Sequence, residues 1–211
     1  MKKLMRGLIA FLVLAVLAAG AYGYWNFELR WRPKTVTKHQ AEIAKILQES
    51  GWVSPGLTGP KLYMVSYRDC PECVRFKAEA FPALHKAGVD TRVIEIARAD
   101  ENGAPKSTPV ERATVAELWV NRSWALAQRW NATPVAAWTA PGVKPADGDI
   151  ARTAVIEAGR ANVEKLAPLL KDNGVGSGWP LMVWWTKDGQ MRACACEAPQ
   201  TNRIVRKDLG A

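Results

Sequence analysis

Four cysteines stand in two close pairs, Cys70-Pro71-Glu72-Cys73 and Cys194-Ala195-Cys196. The first pair lies where a β-forming run, Lys61 to Tyr67, gives way to a helical stretch that Gly88 should stop. Two cysteines three positions apart on a first helical turn can close a disulfide. The first of them also faces the N–H groups that a helix leaves unpaired at its start, and the helix dipole adds to their pull, so Cys70 is favoured as a thiolate. That thiolate can attack a substrate disulfide as the nucleophile, and Cys73 can then resolve the mixed disulfide. The other chemistry open to the pair is half of a zinc site. Zinc wants a second matched pair, and His39 and His85 do not supply one.

Cys194 and Cys196 fall at the end of a strand. Residues i and i+2 on a strand face the same way, with Cα atoms roughly 6.5–7 Å apart. A direct bond between them therefore needs a bulge or a bend. A second redox pair relaying electrons to Cys70 and Cys73, a structural disulfide, spare thiols and a four-thiolate metal site all remain open for them. Pro180 follows Gly-Ser-Gly-Trp and opens an apolar strand, a place suited to a cis prolyl bond, although a plain loop proline fits as well. If Pro180 meets the first cysteine pair, Trp179 and Pro180 line the surface over it, and the backbone of Trp179 can pair with an extended substrate. Glu72 sets a carboxylate beside Cys70 that opposes thiolate formation, with Arg68 and Arg75 available to offset it. The expected couple is less oxidising than one with a basic residue at that position.

These residues need elements to hold them. Val36 to Ser50 reads as a short helix, and Pro55, Gly56, Gly59 and Pro60 as a linker. Thr91 to Ala97 alternates as a second strand, so the strand–helix–strand unit around Cys70 wants a parallel pair. Thr108-Pro109-Val110-Glu111 is a capping box with proline at the first helical position, starting a helix expected to reach about Trp130. A Pro- and Gly-rich loop, Thr133 to Asp149, leads to more helix ending near Asp172. Leu181 to Thr186, the turn Lys187-Asp188-Gly189-Gln190 and Met191 to Cys196 read as a hairpin, followed by a short helix over Asn202 to Leu209. The ten tryptophans are mostly packing residues on this reading.

Ahead of all this, Leu8 to Trp25 carries no charge over eighteen positions, preceded by Lys2, Lys3 and Arg6. It reads as a signal-anchor, a single membrane-spanning helix, with Tyr22, Tyr24, Trp25, Phe27 and Trp31 at the membrane–water boundary. A signal peptide cleaved near Ala19-Gly20-Ala21 is the second choice.

Composition narrows the function further. The 211 residues hold 29 Lys and Arg against 20 Asp and Glu, a net charge of +9 spread along the chain rather than massed for nucleic acid. Walker, HExxH, GxSxG and GxGxxG motifs are missing from the sequence, which argues against nucleotide, zincin and serine-hydrolase chemistry.

From Lys61 to Leu209 the chain resembles the periplasmic thiol–disulfide interchange (Dsb) proteins of thioredoxin fold, the isomerase-type branch above all. The strand into Cys70-Pro71-Glu72-Cys73, the Ala87-to-Val93 junction, Ala116-Glu117-Leu118-Trp119, and Asn173-Gly174-Val175-Gly176-Ser177-Gly178-Trp179-Pro180 with its following hairpin carry the likeness. The resemblance implies an α/β thioredoxin-like fold with a helical insertion at about 108–172, a cis Pro180, a nucleophilic Cys70 and an exported domain. Trp179 departs from the family, which places Thr or another small or β-branched residue before its proline. Residues 26–59 are also too few for the dimerisation domain of that branch.

The expectation is thus a segment 1–25 in the inner membrane, a juxtamembrane helix and linker over 26–59, and a thioredoxin-like domain over 60–211 in the periplasm; a cleaved, soluble periplasmic form is the alternative. Its function would be thiol–disulfide exchange with exported proteins, of reductase or isomerase type, reset by a redox partner, without cofactor or metal. A scaffold module of a membrane assembly and a metal-binding thiol protein are the alternatives.

Overall fold

The two pieces of sheet expected from the sequence are one sheet. A computed structural model describes residues 2–211, which divide into one unit up to Arg32 and another from Pro33 to Ala211. The first holds helix α1 (Lys2–Tyr24) and a π-helical turn, Trp25–Leu29. The Arg30 guanidinium lies 4.6 Å from the Trp31 ring, and apolar side chains of α1 such as Phe11 and Val16 are exposed. Among the described residues no helix is long and apolar enough to cross a membrane, so the expected span rests on the sequence alone.

The second unit runs β1 (Lys34–Thr35), α2 (Gln40–Glu49), β2 (Lys61–Ser66), α3 (Pro71–Lys86), β3 (Asp90–Glu95), α4 (Pro109–Asn121), α5 (Trp124–Ala132), α6 (Ile150–Lys171), β4 (Leu181–Trp185), β5 (Met191–Ala195) and α7 (Pro199–Leu209). The strand order is β1-β5-β4-β2-β3. Only β2 and β3 are parallel, and β4 lies antiparallel to β2 with Val65 opposite Leu181. Strands β2 to β5 are buried at most positions because both faces are covered. Leu62, Met64, Met182, Trp184 and Cys194 belong to one core cluster, shared with α3 and α7. Tyr63, Val65, Leu181, Val183 and Ala193 belong to a second, shared with α2 and α6.

Three expectations are corrected. The domain begins at Pro33 instead of residue 60, because the stretch read as a juxtamembrane helix and linker belongs to the sheet and its core. Lys34 and Thr35 pair with β5, the Val36 amide donates to the Met191 carbonyl at 2.9 Å, and Ile43, Ile46 and Leu47 of α2 are buried. Val53 bridges Val93 at the far side of β3. Second, the helix expected over 36–50 starts only at Gln40. The side chain of Asn173 accepts from the amides of Thr37 and Lys38, which holds that segment out of helix. Third, the helix begun at the capping box stops at Asn121. Arg122 turns into the left-handed region (φ 50°), and the Ser123 hydroxyl accepts from the Leu126 amide at 3.2 Å to cap a new helix. The capping box itself is formed, with Glu111 N–H donating to the Thr108 hydroxyl at 3.2 Å.

One glycine has a packing role. Gly51 lies under the indole of Trp119, where any Cβ would overlap the ring. That indole donates from Nε1 to the Glu95 carbonyl at 2.8 Å, tying the insertion to the end of β3.

Candidate dithiol site

Strand β2 ends at Ser66, and the chain turns through Tyr67, Arg68 and Asp69 into Cys70, the N-cap residue of α3. Pro71 occupies the first helical position, where its missing N–H costs nothing. Cys70 has extended backbone (φ −77°, ψ 108°), which turns its side chain back onto the helix start. The Cys73 amide donates to Cys70 Sγ at 3.1 Å. Cys70 and Cys73 form a disulfide with Cα atoms 5.2 Å apart. The sulfur of Cys70 is thus the acceptor of a helix-start N–H, the arrangement that favours an anion there once the bond is opened.

The bond between Trp179 and Pro180 is cis. Since Leu181 stands opposite Val65, Pro180 lies just before β4, beside the last residue of β2. The rings of Tyr67 and Trp179 meet edge to face at 5.3 Å, and the Tyr67 carbonyl accepts from the Cys70 amide at 3.3 Å. The residues expected to act together, Cys70, Cys73, Trp179 and Pro180, therefore share one end of the sheet. No backbone hydrogen bond involves Trp179 among the described residues. An apolar groove of 530 Å³ runs beside it, lined by Val163, Ala167, Pro168, Val175 and Leu181.

One expectation fails in this state. A nucleophile needs an open path to its target, yet Cys70 and Cys73 are both 0 % exposed. They lie in the same cluster as Trp130, Trp138 and Ala140 of the insertion, with Tyr67 and Trp179 packed against it. The Cys70 sulfur is closed to solvent while this packing stands.

The basic residues read as neighbours of Cys70 are engaged elsewhere. Arg68 is only 7 % exposed; its guanidinium donates to the Thr133 carbonyl and sits 5.1 Å from the Trp130 ring. Burial pulls the Arg68 pKa down, against the opposing pull of Glu95 and Glu111. Arg75 reaches the other way and donates to the Glu197 carbonyl at 2.5 Å. The turn before Cys70 is held by Arg98, which donates to both Asp69 carboxylate oxygens at 2.7 and 2.8 Å. The Arg98 guanidinium also lies 4.2 Å from the Tyr67 ring.

Glu95 was not singled out from the sequence. Its side chain is 1 % exposed, ion-paired with Lys77, and accepts from the Ser66 hydroxyl at 2.8 Å. Lys77 lies one helical turn beyond Cys73, so this buried pair braces the helix that carries the thiols. The signal was a glutamate inside an otherwise apolar run, Val93 to Ala97.

Cys194 and Cys196 also form a disulfide, with Cα atoms 5.1 Å apart. That is well inside the separation of a straight strand, and the required bend is present. Strand β5 ends at Ala195, and the Glu197 amide turns back to the Ala195 carbonyl at 3.0 Å. Among the described residues no group of three or more His, Cys, Asp or Glu side chains is placed to hold a metal ion.

No protein-family model matches the chain, and no curated protein matches its sequence. Solved structures do match. The catalytic domain of Proteus mirabilis ScsC superposes with a TM-score of 0.51 at 16% identity, over 81% of this chain and 97% of that one. The compact conformation of Proteus mirabilis ScsC gives 0.50 at 15% identity, over 98% and 97%. BcfH of Salmonella enterica Typhimurium gives 0.53 at 16% identity, over 98% and 91%. The fold is thioredoxin-like. Identities this low tie the chain to those proteins by fold alone. Helices α4 to α6 lie between β3 and β4 in the chain, and the Cys70–Cys73 disulfide and the cis-proline lie at the same end of the sheet, where β2 ends.

Proposed function

We propose that this protein is a thiol–disulfide oxidoreductase acting through Cys70 and Cys73 on exported proteins. The observation that carries the reading is the Cys73 amide directed at Cys70 Sγ at the start of α3, beside the cis Trp179–Pro180 bond. In the reduced protein, Cys70 as thiolate attacks one sulfur of a substrate disulfide and expels the other. Cys73 then attacks Cys70, releasing the substrate dithiol and leaving the Cys70–Cys73 disulfide. Two electrons pass from protein to substrate, and a partner dithiol returns them. The reverse sequence oxidises a substrate through the same atoms. No organic cofactor is required, because the dithiol carries both electrons. Glu72 beside Cys70, with Arg68 and Arg75 turned away, supports a reductase or isomerase over a strong oxidase.

Trp179 and Pro180 are the proposed substrate platform. The half-buried indole and the adjoining groove offer apolar contact, and the Trp179 backbone offers a donor and an acceptor to an extended chain. The uncharged run from Leu8 to Trp25 and the exposed apolar side chains of α1 support a single-pass membrane anchor. The basic start and immediate apolar run of the N-terminus favour export, so on this reading the domain faces the periplasm.

The complete burial of both thiols favours a second reading, a thioredoxin-fold binding module whose Cys70–Cys73 bond is structural. Substitution separates the two. On the enzymatic reading, Cys70→Ser abolishes reduction of a protein disulfide, and Cys73→Ser accumulates mixed disulfides visible on non-reducing gels. Full activity in Cys70→Ser rejects the enzymatic reading.

A further inference from the structure

We propose that Cys194 and Cys196 are a second redox pair that exchanges electrons inside the molecule with Cys70 and Cys73; this rests on the first pair being the reactive dithiol. Three placements carry it. The Cys196 amide donates to the Pro180 carbonyl at 2.9 Å, so the second pair flanks the cis-proline on the side opposite β2. With β4 between them, the ends of β2 and β5 are about 10 Å apart, two strand spacings. The flank of α3 is also tied to the turn that holds Cys196. Arg75, two residues past Cys73, donates to the Glu197 carbonyl, and Asn202 of α7 donates to Glu79 at 2.7 Å. All four cysteines lie in one apolar cluster, with Cys194 4 % and Cys196 1 % exposed. Both pairs are thus closed to a reductant in the resting fold, Cys70 and Cys73 being 0 % exposed, and the relay requires that movement of the packing over them opens the first pair before the second.

A purely structural role explains this disulfide poorly. It closes a loop across a single residue, and chain-entropy stabilisation becomes small as the closed loop shortens. In the proposed exchange Cys73, whose helix is tied to the turn through Arg75, is the sulfur attacked. With the first pair oxidised and the second reduced, the Cys196 thiolate attacks Cys73 Sγ and expels Cys70 as a thiolate. Cys194 then attacks Cys196 Sγ and expels Cys73. One disulfide is lost at Cys70–Cys73 and one gained at Cys194–Cys196, and the two protons leaving the second pair balance those taken up by the first. The molecule thereby stores four electrons instead of two.

The test is the opening rate of each disulfide in the full chain under dithiothreitol, read by timed alkylation and peptide mass spectrometry. The relay predicts that Cys194–Cys196 opens at least tenfold faster in the wild type than in Cys70→Ser/Cys73→Ser. Equal rates, with Cys70–Cys73 opening normally in the wild type, overturn the relay and leave the first pair's chemistry standing. A Cys70–Cys73 bond that resists the reductant rejects the underlying reading instead. Should the double variant lose its native tryptophan fluorescence, Cys70→Ser/Cys194→Ser decides the matter. Mild oxidation of that chain should join Cys73 to Cys196 within one molecule, and recovery of both as free thiols refutes the proposal.

Discussion

Replacing Glu95 with Gln removes the carboxylate on which two buried cations depend. Glu95 is 1 % exposed and its partner Lys77 12 %, so neither charge is well solvated. Arg68, itself pulled down by burial, is held up by the same carboxylate. Removing one member of a buried ion pair typically costs about 3–5 kcal/mol, mostly for the charge left behind. Against a usual domain stability of about 5–15 kcal/mol, that is a large share. The amide of Gln still reaches the Ser66 hydroxyl, so the loss isolates charge from hydrogen bonding. Equilibrium unfolding in urea, followed by tryptophan fluorescence with both disulfides intact, measures the change. Adding Lys77→Met should restore most of the loss, because the stranded ammonium is then gone as well. A loss below about 1 kcal/mol, or no relief from the second substitution, would show the pair to be solvated and the bracing role of Glu95 wrong.

Two further substitutions probe the frame around the site. Gly51→Ala pushes a methyl group into the Trp119 indole and should lower stability by about 1–3 kcal/mol through overpacking; an unchanged urea midpoint rules this out. Burial pushes the Glu111 carboxyl above its ordinary pKa, against the opposing bond from Thr108, so the folded chain prefers it protonated. Its contribution to stability is full below the ordinary carboxylate range and is lost as pH rises through the folded pKa. Glu111→Gln keeps a capping partner without the charge, and its melting temperature relative to the wild type should be higher at pH 7 than at pH 4. The same difference at both values contradicts the assignment.

Much of the site was legible because its parts are local. Cys70, Pro71 and Cys73 form one helical turn, and Thr108 with Glu111 another, so spacing alone sets their geometry. Gly88 ends α3 with φ +80° as expected of a residue that must be left-handed. What escaped the sequence depends on distant partners. Lys34 and Thr35 become a strand only because β5 offers its edge, and Thr37 and Lys38 stay out of helix only because Asn173 takes their amides. The break at Arg122 was marked locally by Ser123 as an N-cap residue, but the helical pattern on either side masked it. Burial of Cys70 had no signature near residue 70, since part of the cluster around it comes from an insertion some sixty residues away.

The lateral borders of the sheet bear on how a guest chain can be held. At one, Val36 and the two residues of β1 sit against β5; at the other, Val53 exchanges both of its backbone bonds with Val93. An unfolded polypeptide therefore meets only a short, partly spoken-for margin on either flank, a poor template for added strands. On the proposed function, recruitment would fall to the backbone of Trp179, where a grip of one or two amides is indifferent to most side chains. A short hold of that kind would suit the proposed exchange with many different clients.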